Sequence, residues 1–108
     1  MNMLNSVILE GNVENVRTPE NNSLFPVPAV TRLGISTKRT YRDATGKDKE
    51  EVSYFDVEAW GNLGEFAGRI GKGSGIRIVG RLKQNRWEAD GKELSKVVVV
   101  AEHIEVKP

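Results

Sequence analysis

The chain has 108 residues, 38% of them hydrophobic, with 16 Lys and Arg against 15 Asp and Glu and a formal net charge of +1. This length predicts one domain spanning residues 1–108, and the composition is that of a soluble globular protein. The absence of cysteine and the single histidine exclude disulfides, thiolate chemistry and a multi-histidine metal cluster, so no cofactor and no metal are predicted.

The first predicted strand is the apolar-rich run from Ser6 to Val13. Gly11 inside it predicts a bulge or a sharp bend, as small barrels need at their corners. The segment from Asn15 to Pro28 contains three prolines, three Asn residues and one Ser. That composition predicts a long, mobile loop.

The second predicted strand alternates from Thr31 to Arg39. Arg32 and Lys38 lie on its outer face, and its predicted core face consists of Thr31, Leu33, Ile35 and Thr37. The polar stretch from Thr40 to Glu51 follows. Its charge and its turn residues predict a long hairpin tip that leads into the next strand.

The third predicted strand, Ser53 to Trp60, also alternates, with Phe55, Val57 and Ala59 toward the core. Its outer face combines two aromatics with two carboxylates: Tyr54, Asp56, Glu58 and Trp60. Carboxylates indicate a wet face, and stacking on nucleic-acid bases is one reason for large aromatics to be there. Covering a loop or a subunit partner is the alternative. Because carboxylates on a DNA-binding face would repel phosphates, the two acids are expected either to reach over the rim or to pair with Arg77 or Arg81.

A short helix is predicted after the third strand, starting at Gly61-Asn62. Asn62 and Glu65 have capping-box spacing. Apolar residues at helical spacing form one stripe: Leu63, Phe66, Ala67 and Ile70. The glycines from Gly71 to Gly75 are predicted to stop the helix, and they lack the spacing of a phosphate-binding loop.

The fourth predicted strand, Ile76 to Trp87, carries the strongest functional signal. Its inner face is predicted to be Ile76, Ile78, Gly80 and Leu82, and its outer face to include Arg77, Arg81, Lys83 and Trp87. Cations interleaved with an aromatic are typical of a groove that tracks a nucleic-acid strand. With a net charge of only +1, such a groove requires cations concentrated on one face. A solvated face with the Trp packed under Lys stems is the alternative.

Asp90-Gly91 predicts a hairpin turn into a fifth strand from Leu94 to Ala101, whose valine run indicates burial on both faces. Glu102 to Val106 is its candidate extension, and His103 is predicted to be a surface residue. The order of three strands, a helix and two strands predicts an all-β OB-fold, a five-stranded Greek-key barrel with the helix between strands three and four.

With these residues in view, the chain resembles the bacterial single-stranded DNA-binding protein family. Three segments carry the likeness: Asn5–Asn12, Ile35–Asp43, and Tyr54–Glu65 with its continuation through Gly73–Leu82 and Arg86–Trp87. The resemblance implies that bases stack on four aromatics, namely Tyr41, Tyr54, Trp60 and Trp87. The cations expected to contact DNA are Arg32, Lys38, Arg39, Arg42, Arg77, Arg81, Lys83 and Arg86.

The resemblance implies sequence-independent binding and protection of single-stranded DNA in replication, recombination and repair, with no catalytic activity. It also implies a homotetramer in which the first strand builds a dimer contact. The family's usual C-terminal tail, which recruits replication proteins, does not follow the predicted barrel in the given sequence; either the sequence stops short of it or this member does not recruit partners in that way. That absence favours an alternative, a tailless primosomal relative that works as a dimer and bridges DNA to a replication partner.

The lack of a signal peptide and of a membrane-length apolar run predicts a cytoplasmic, nucleoid-associated protein with no membrane partner. A hydrolase is a weaker alternative, because there is no cysteine, no Gly-x-Ser-x-Gly elbow, and only His103 as a neutral-pH base. An OB-fold used only for protein or sugar binding is a further alternative. No residue distinguishes DNA from RNA.

Overall fold

Five strands and one short helix form a closed barrel. The computed structural model describes residues 2–18 and 30–108. The elements are β1 (Val7–Arg17), β2 (Val30–Arg42), β3 (Asp48–Trp60), α1 (Gly61–Ala67), β4 (Gly75–Ala89) and β5 (Lys92–Val106). The order around the barrel is β1-β2-β3-β5-β4, in which β3 and β5 are parallel and the other neighbours antiparallel. The predicted OB-fold is therefore confirmed.

The core consists of the inward-facing residues of all five strands. Its fully buried side chains include Val13, Leu33, Ile35, Val57, Ile76 and Ile78. Each such side chain contributes about 1.5–3 kcal/mol by leaving water. The predicted burial of the valine run on both faces is confirmed for Val98, Val99 and Val100, whereas Val97 is exposed. None of the helices in the described part of the chain is long and apolar enough to cross a membrane.

The helix α1 packs across one end of the barrel, with Gly64 and Ala67 buried. The Thr31 hydroxyl donates a hydrogen bond of 2.6 Å to the Gly64 carbonyl and thereby ties the helix to β2. The predicted capping box is wrong, because Trp60 is the N-cap residue and no side chain caps the helix. Packing on the barrel stabilises this short helix instead.

The end of α1 also differs from the prediction. The helix stops at Ala67 with Gly68 as its C-cap, before the glycines of residues 71–75. Ile70 is buried beyond the helix end, and Phe66 is 39% exposed. Phe66 directly precedes Ala67, and adjacent helical residues point in different directions, so burial of Ala67 leaves Phe66 outside the core.

The predicted bulge at Gly11 is displaced by three residues. Gly11 pairs in register with Ile76, while the register between β1 and β2 shifts between Val13 and Asn15. The reason for glycine at position 11 is close approach, because a Cβ there would lie 2.2 Å from the Ser36 carbonyl oxygen. Near this point the pairing of β1 passes from β4 (residues 7–12) to β2 (residues 12–17).

The predicted loop from Asn15 to Pro28 is wrong at its start. Asn15, Val16 and Arg17 belong to β1 and pair with residues 34, 33 and 32 of β2. A bulge at Glu14 shifts the register, and the pairing of β1 with β2 continues beyond it. The turn-rich composition of the segment does not indicate this pairing. The rest of that prediction, residues 19–28, lies outside the described residues.

The predicted hairpin tip from Thr40 to Glu51 is also too long. The ladder between β2 and β3 continues to the pair Arg42 and Asp48, so that only residues 43–47 form the turn. Opposite charges face each other along this ribbon, in Lys38–Glu50 (3.7 Å), Arg39–Glu51 (4.0 Å) and Arg42–Asp48 (3.5 Å). Such cross-strand pairs stabilise a ribbon whose residues are mostly polar.

A second ribbon is formed by β4 and β5. The pairing of β4 with β1 ends at Gly80, whereas its pairing with β5 continues to Ala89. Leu82 is therefore half-exposed rather than in the core as predicted. The predicted turn is confirmed, because Asp90 and Gly91 have φ of 53° and 75°, as a two-residue hairpin turn requires.

Candidate nucleic-acid interface

The outer face of β3 presents aromatics to solvent. Tyr54 and Trp60 are 73% and 39% exposed. The β2–β3 ladder has no register shift, so alternate residues of β3 share one face. Arg32 lies directly opposite Glu58 on that face. The predicted parity of Tyr54 and Trp60 is therefore found in the structure.

Tyr41 lies on the other side of the same ribbon. Ser36 of β2 pairs with Tyr54 and shares its side, whereas Tyr41 is five residues further along β2, where it pairs with Lys49. Because side chains alternate along a strand, an odd separation places Tyr41 on the opposite side. Tyr41 is 39% exposed, and the Arg39 guanidinium lies 5.2 Å from its ring centroid, within the range of a cation–π contact. Lys38 and Arg42 share the Tyr54 side, so the ribbon has cations on both sides.

The β4–β5 ribbon positions Trp87 and Lys83 on one side. Trp87 is 46% exposed and lies opposite Leu94, and it shares strand parity with Lys83. Arg86 points to the other side, where its guanidinium donates hydrogen bonds of 2.9 and 3.2 Å to the Gln84 side-chain oxygen. The predicted interface residues of β4 thus occupy both sides of the ribbon.

Lys83 connects β4 to the aromatic face of β3. Its Nζ lies 3.7 Å from the Glu58 carboxylate and 5.5 Å from the centroid of the Trp60 ring. Lys83, Trp60 and Glu58 therefore form a compact group between the two ribbons.

The prediction that Glu58 lies on a wet face is wrong. Its side chain is only 5% exposed, and Asn85 donates a hydrogen bond of 3.0 Å to it. The expected partners are also wrong, because Lys83 pairs with Glu58 and Lys96 pairs with Asp56. Both lysines reach the acids because the β4–β5 ribbon lies alongside β3.

Arg77 and Arg81 pair with carboxylates other than Asp56 and Glu58. Arg77 contacts Glu10 at 3.1 Å and Glu105 at 3.9 Å, and Arg81 contacts Glu102 at 3.7 Å. Hydrogen bonds from Lys107 and then from Arg77 lower the pKa of the Glu10 carboxyl. Arg77 thus takes part in a charge network that joins β1, β4 and β5. The structure does not bring it to Lys83 and Trp60.

An open cleft of about 250 Å³ lies beside this group. It is lined by residues of all five strands, Asn15, Arg17, Arg32, Leu33, Asp56, Val57, Glu58, Asn85, Lys96 and Val98. The sequence-based prediction did not include Arg17 or Lys96. Lys96 was predictable, because counting outward from the Asp-Gly turn places it opposite Asn85. Arg17 was not, since the β1 bulge shifts its register.

The turn between β2 and β3 is held by the Asp43 carboxylate. It accepts hydrogen bonds from the Thr45 hydroxyl (2.6 Å), the Thr45 N–H (2.9 Å) and the Lys47 N–H (3.0 Å). The Thr45 hydroxyl, followed by the Lys47 N–H, lowers the pKa of Asp43 from its ordinary value of 3.8. Because the charged form is favoured in the folded turn, the stabilisation is complete above that value and is lost as the pH falls through the lowered pKa.

We therefore expect the amide proton shifts of Thr45 and Lys47 to titrate together, with a midpoint below 3.8. Two-dimensional NMR across an acid titration measures this. Asp43→Asn is the matched control, because it keeps an acceptor oxygen but should abolish the shared midpoint. A midpoint at or above the ordinary value would show that the carboxylate does not hold the turn.

Comparison with known proteins finds relatives of one family. A model of the single-strand binding protein family matches residues 4–107. A single-stranded DNA-binding protein of Aquifex aeolicus is 35% identical over 103 residues, which cover 94% of this chain and 69% of the relative. One from Wolinella succinogenes is 36% identical, covering 96% and 64%, and one from Thermus aquaticus is 34% identical, covering 83% and 32%. The chain thus spans between a third and about two thirds of these relatives.

Solved structures give the same fold. A deletion mutant of the single-stranded DNA binding protein from Thermus aquaticus superposes with a TM-score of 0.81 at 29% identity, covering 97% of this chain and 51% of that one. A Plasmodium falciparum SSB in complex with ssDNA superposes with a TM-score of 0.83, covering 100% and 98%. Its identity of 16% supports likeness of fold alone.

Proposed function

The chain belongs to the single-strand binding protein family, and from this we propose that it binds single-stranded DNA without regard to base sequence. Binding would protect exposed strands during replication, recombination and repair. We assign the protein no catalytic role, and we place it in the cytoplasm, at the nucleoid. The primosomal alternative is not favoured by the comparisons, whose relatives carry the name single-stranded DNA-binding protein.

One observation carries the proposal. Tyr54, Trp60 and Trp87 are between 39% and 73% exposed on two neighbouring ribbons, and Lys83 lies between the ribbons. Exposed aromatics next to cations form the stacking platforms of single-strand binders, and each stacked base contributes about 1–3 kcal/mol. We assign stacking to these three residues and to Tyr41.

The phosphate contacts are assigned to cations of β2 and β4. The residues proposed for them are Arg32, Lys38, Arg39, Arg42, Arg77, Arg81 and Arg86. Lys83, which the sequence also predicted as a DNA contact, is instead paired with Glu58 in the free protein. Several of these side chains already pair with carboxylates, as in Lys38–Glu50 and Arg77–Glu10. Because exposed ion pairs are weak, phosphates can replace those carboxylates. Such exchange limits the net number of counterions released on binding.

We also propose a homotetramer, which the family resemblance implies. The large exposure of Ile8 on the outer face of β1 supports a subunit contact through that strand. Light scattering of the purified chain measures the subunit number. A dimer would instead favour the primosomal alternative.

The function is tested by tryptophan fluorescence during titration with oligo-dT at several salt concentrations. We expect strong quenching, with an affinity that falls by roughly 0.7 log units per log unit of salt for each phosphate neutralised. A duplex of the same length is the control and should bind much more weakly. Equal affinity for duplex and single strand, or absence of both quenching and anisotropy change on a labelled oligonucleotide, would contradict the proposal.

A further inference from the structure

Lys83 occupies the neighbourhood of a stacking ring in the free protein. Its ammonium lies over the Trp60 ring, 5.5 Å from the centroid, within cation–π range. Stacking requires that a base lie flat on a ring face. Lys83 and a stacked base would therefore occupy the same position over the Trp60 ring, so that only one of them can be there at a time.

The carboxylate of Glu58 explains why Lys83 stays there. Glu58 is 4% exposed, and its Oε2 accepts a hydrogen bond from Asn85. Its Oε1 is buried and has no hydrogen-bond donor in the part of the chain that the structure describes. Burying a charge is costly unless the charge is paired. The Lys83 ammonium, 3.7 Å from Oε1, provides that pairing.

We propose that Glu58 is a positioning residue that holds Lys83 against Trp60, so that Lys83 competes with a base for the ring and does not neutralise a phosphate. The inference rests on the proposed function, because the competition requires a base to bind. Glu58 thereby lowers the affinity for a DNA base at Trp60. It also prevents Lys83 from neutralising a phosphate, so that Lys83 does not contribute to the salt dependence of DNA binding. Removing its charge releases Lys83 toward the DNA backbone.

The DNA experiment compares the wild type, Glu58→Gln and the double variant Glu58→Gln/Lys83→Gln. Glutamine has the size of glutamate and can still accept from Asn85, so both variants fill the buried site at position 58 and remove its charge. We expect Glu58→Gln to bind oligo-dT more tightly, with a salt slope steeper by roughly 0.7, an extra loss of about 2.6-fold between about 50 and 200 mM salt. The double variant should return to the wild-type slope.

Glu88→Gln is the matched control for charge. Glu88 is exposed, directly follows Trp87 and lies opposite Glu93, so its replacement removes one negative charge without freeing a lysine from a buried partner. We expect its salt slope to equal that of the wild type. A Glu88→Gln slope as steep as that of Glu58→Gln would show that the effect comes from the general field and would overturn the inference. A double variant as steep as Glu58→Gln would show that Lys83 is not the cation that is released, and would overturn it as well.

A second measurement needs no DNA. The chain has two tryptophans, so Trp87→Phe leaves Trp60 as the only one. In that background, Glu58→Gln should raise the acrylamide quenching constant of Trp60, because Lys83 no longer stays over the ring. Unchanged quenching together with an unchanged salt slope would refute the role of Glu58 while oligo-dT binding still stood. Failure of the wild type to bind any oligonucleotide would instead refute the proposed function.

Discussion

Replacing both Trp60 and Trp87 with alanine should weaken oligo-dT binding by about 2–6 kcal/mol, or by at least about 30-fold. Each ring is the proposed platform for one base, on β3 and on β4 respectively. The two residues lie on different strands, and the expected loss is the sum of the two single-ring contributions. Fluorescence anisotropy of a labelled oligonucleotide measures the loss, since the double variant has no tryptophan signal.

Phe66→Ala is the matched control. Phe66 has the same 39% exposure as Trp60 but belongs to α1. Its removal should leave oligo-dT affinity within about twofold of wild type. Circular dichroism of all variants establishes that the barrel is retained. If the double tryptophan variant bound as tightly as Phe66→Ala, stacking on these rings would not be the source of affinity.

Replacing Gly80 with alanine should lower the free energy of unfolding by about 3 kcal/mol or more. A Cβ at this position would lie 2.2 Å from the Val100 carbonyl oxygen and 3.2 Å from the Ala101 Cα. Both atoms are backbone of the paired strand, next to the register shift between Val79 and Gly80. They cannot move without disturbing the β4–β5 ladder.

Gly75→Ala, in the same strand, is the control for this substitution. The nearest atom to its Cβ would be that of Lys107 at 3.6 Å, an ordinary contact. We expect it to change the free energy of unfolding by less than about 1 kcal/mol. Urea denaturation at one fixed protein concentration measures both variants, because assembly would otherwise contribute. A Gly80→Ala barrel as stable as the Gly75→Ala barrel would contradict the close approach.

The strand faces were predictable because alternation is a local property of the chain. Leu33, Ile35 and Val57 are inward, and Tyr54 and Trp60 outward, as their parity predicts. Phe55 is an exception, because it was predicted to face the core and is 38% exposed. The errors arise where a distant strand decides the outcome. Asn15 and its neighbours read as loop because Asn and Pro are turn residues, yet pairing with β2 makes Asn15, Val16 and Arg17 strand.

The exposure of the aromatic residues at the site was predictable from the sequence, whereas the burial of the Glu58 carboxylate was not. By strand alternation Glu58 belongs to the solvent-facing side of β3. It is buried because the β4–β5 ribbon packs against it, with Asn85 in hydrogen-bond contact. Its partner Lys83 is 25 positions away in the chain, so no spacing rule connects the two. Lys96 is the exception, because the register of a two-residue hairpin turn follows from the turn itself.

The barrel is closed between β3 and β5 by only two residue pairs, Val57 with Val99 and Glu58 with Val100. By contrast, each of the other seams has at least five residue pairs. Ion pairs of Asp56 with Lys96 and of Glu58 with Lys83 cross close to this short seam. Local opening of a fold starts where backbone pairing is sparse, and salt screens the exposed ion pair. Local opening of the barrel between β3 and β5 should therefore become more frequent as the ionic strength rises. Faster hydrogen exchange of the Val99 and Val100 amides at high salt would measure this.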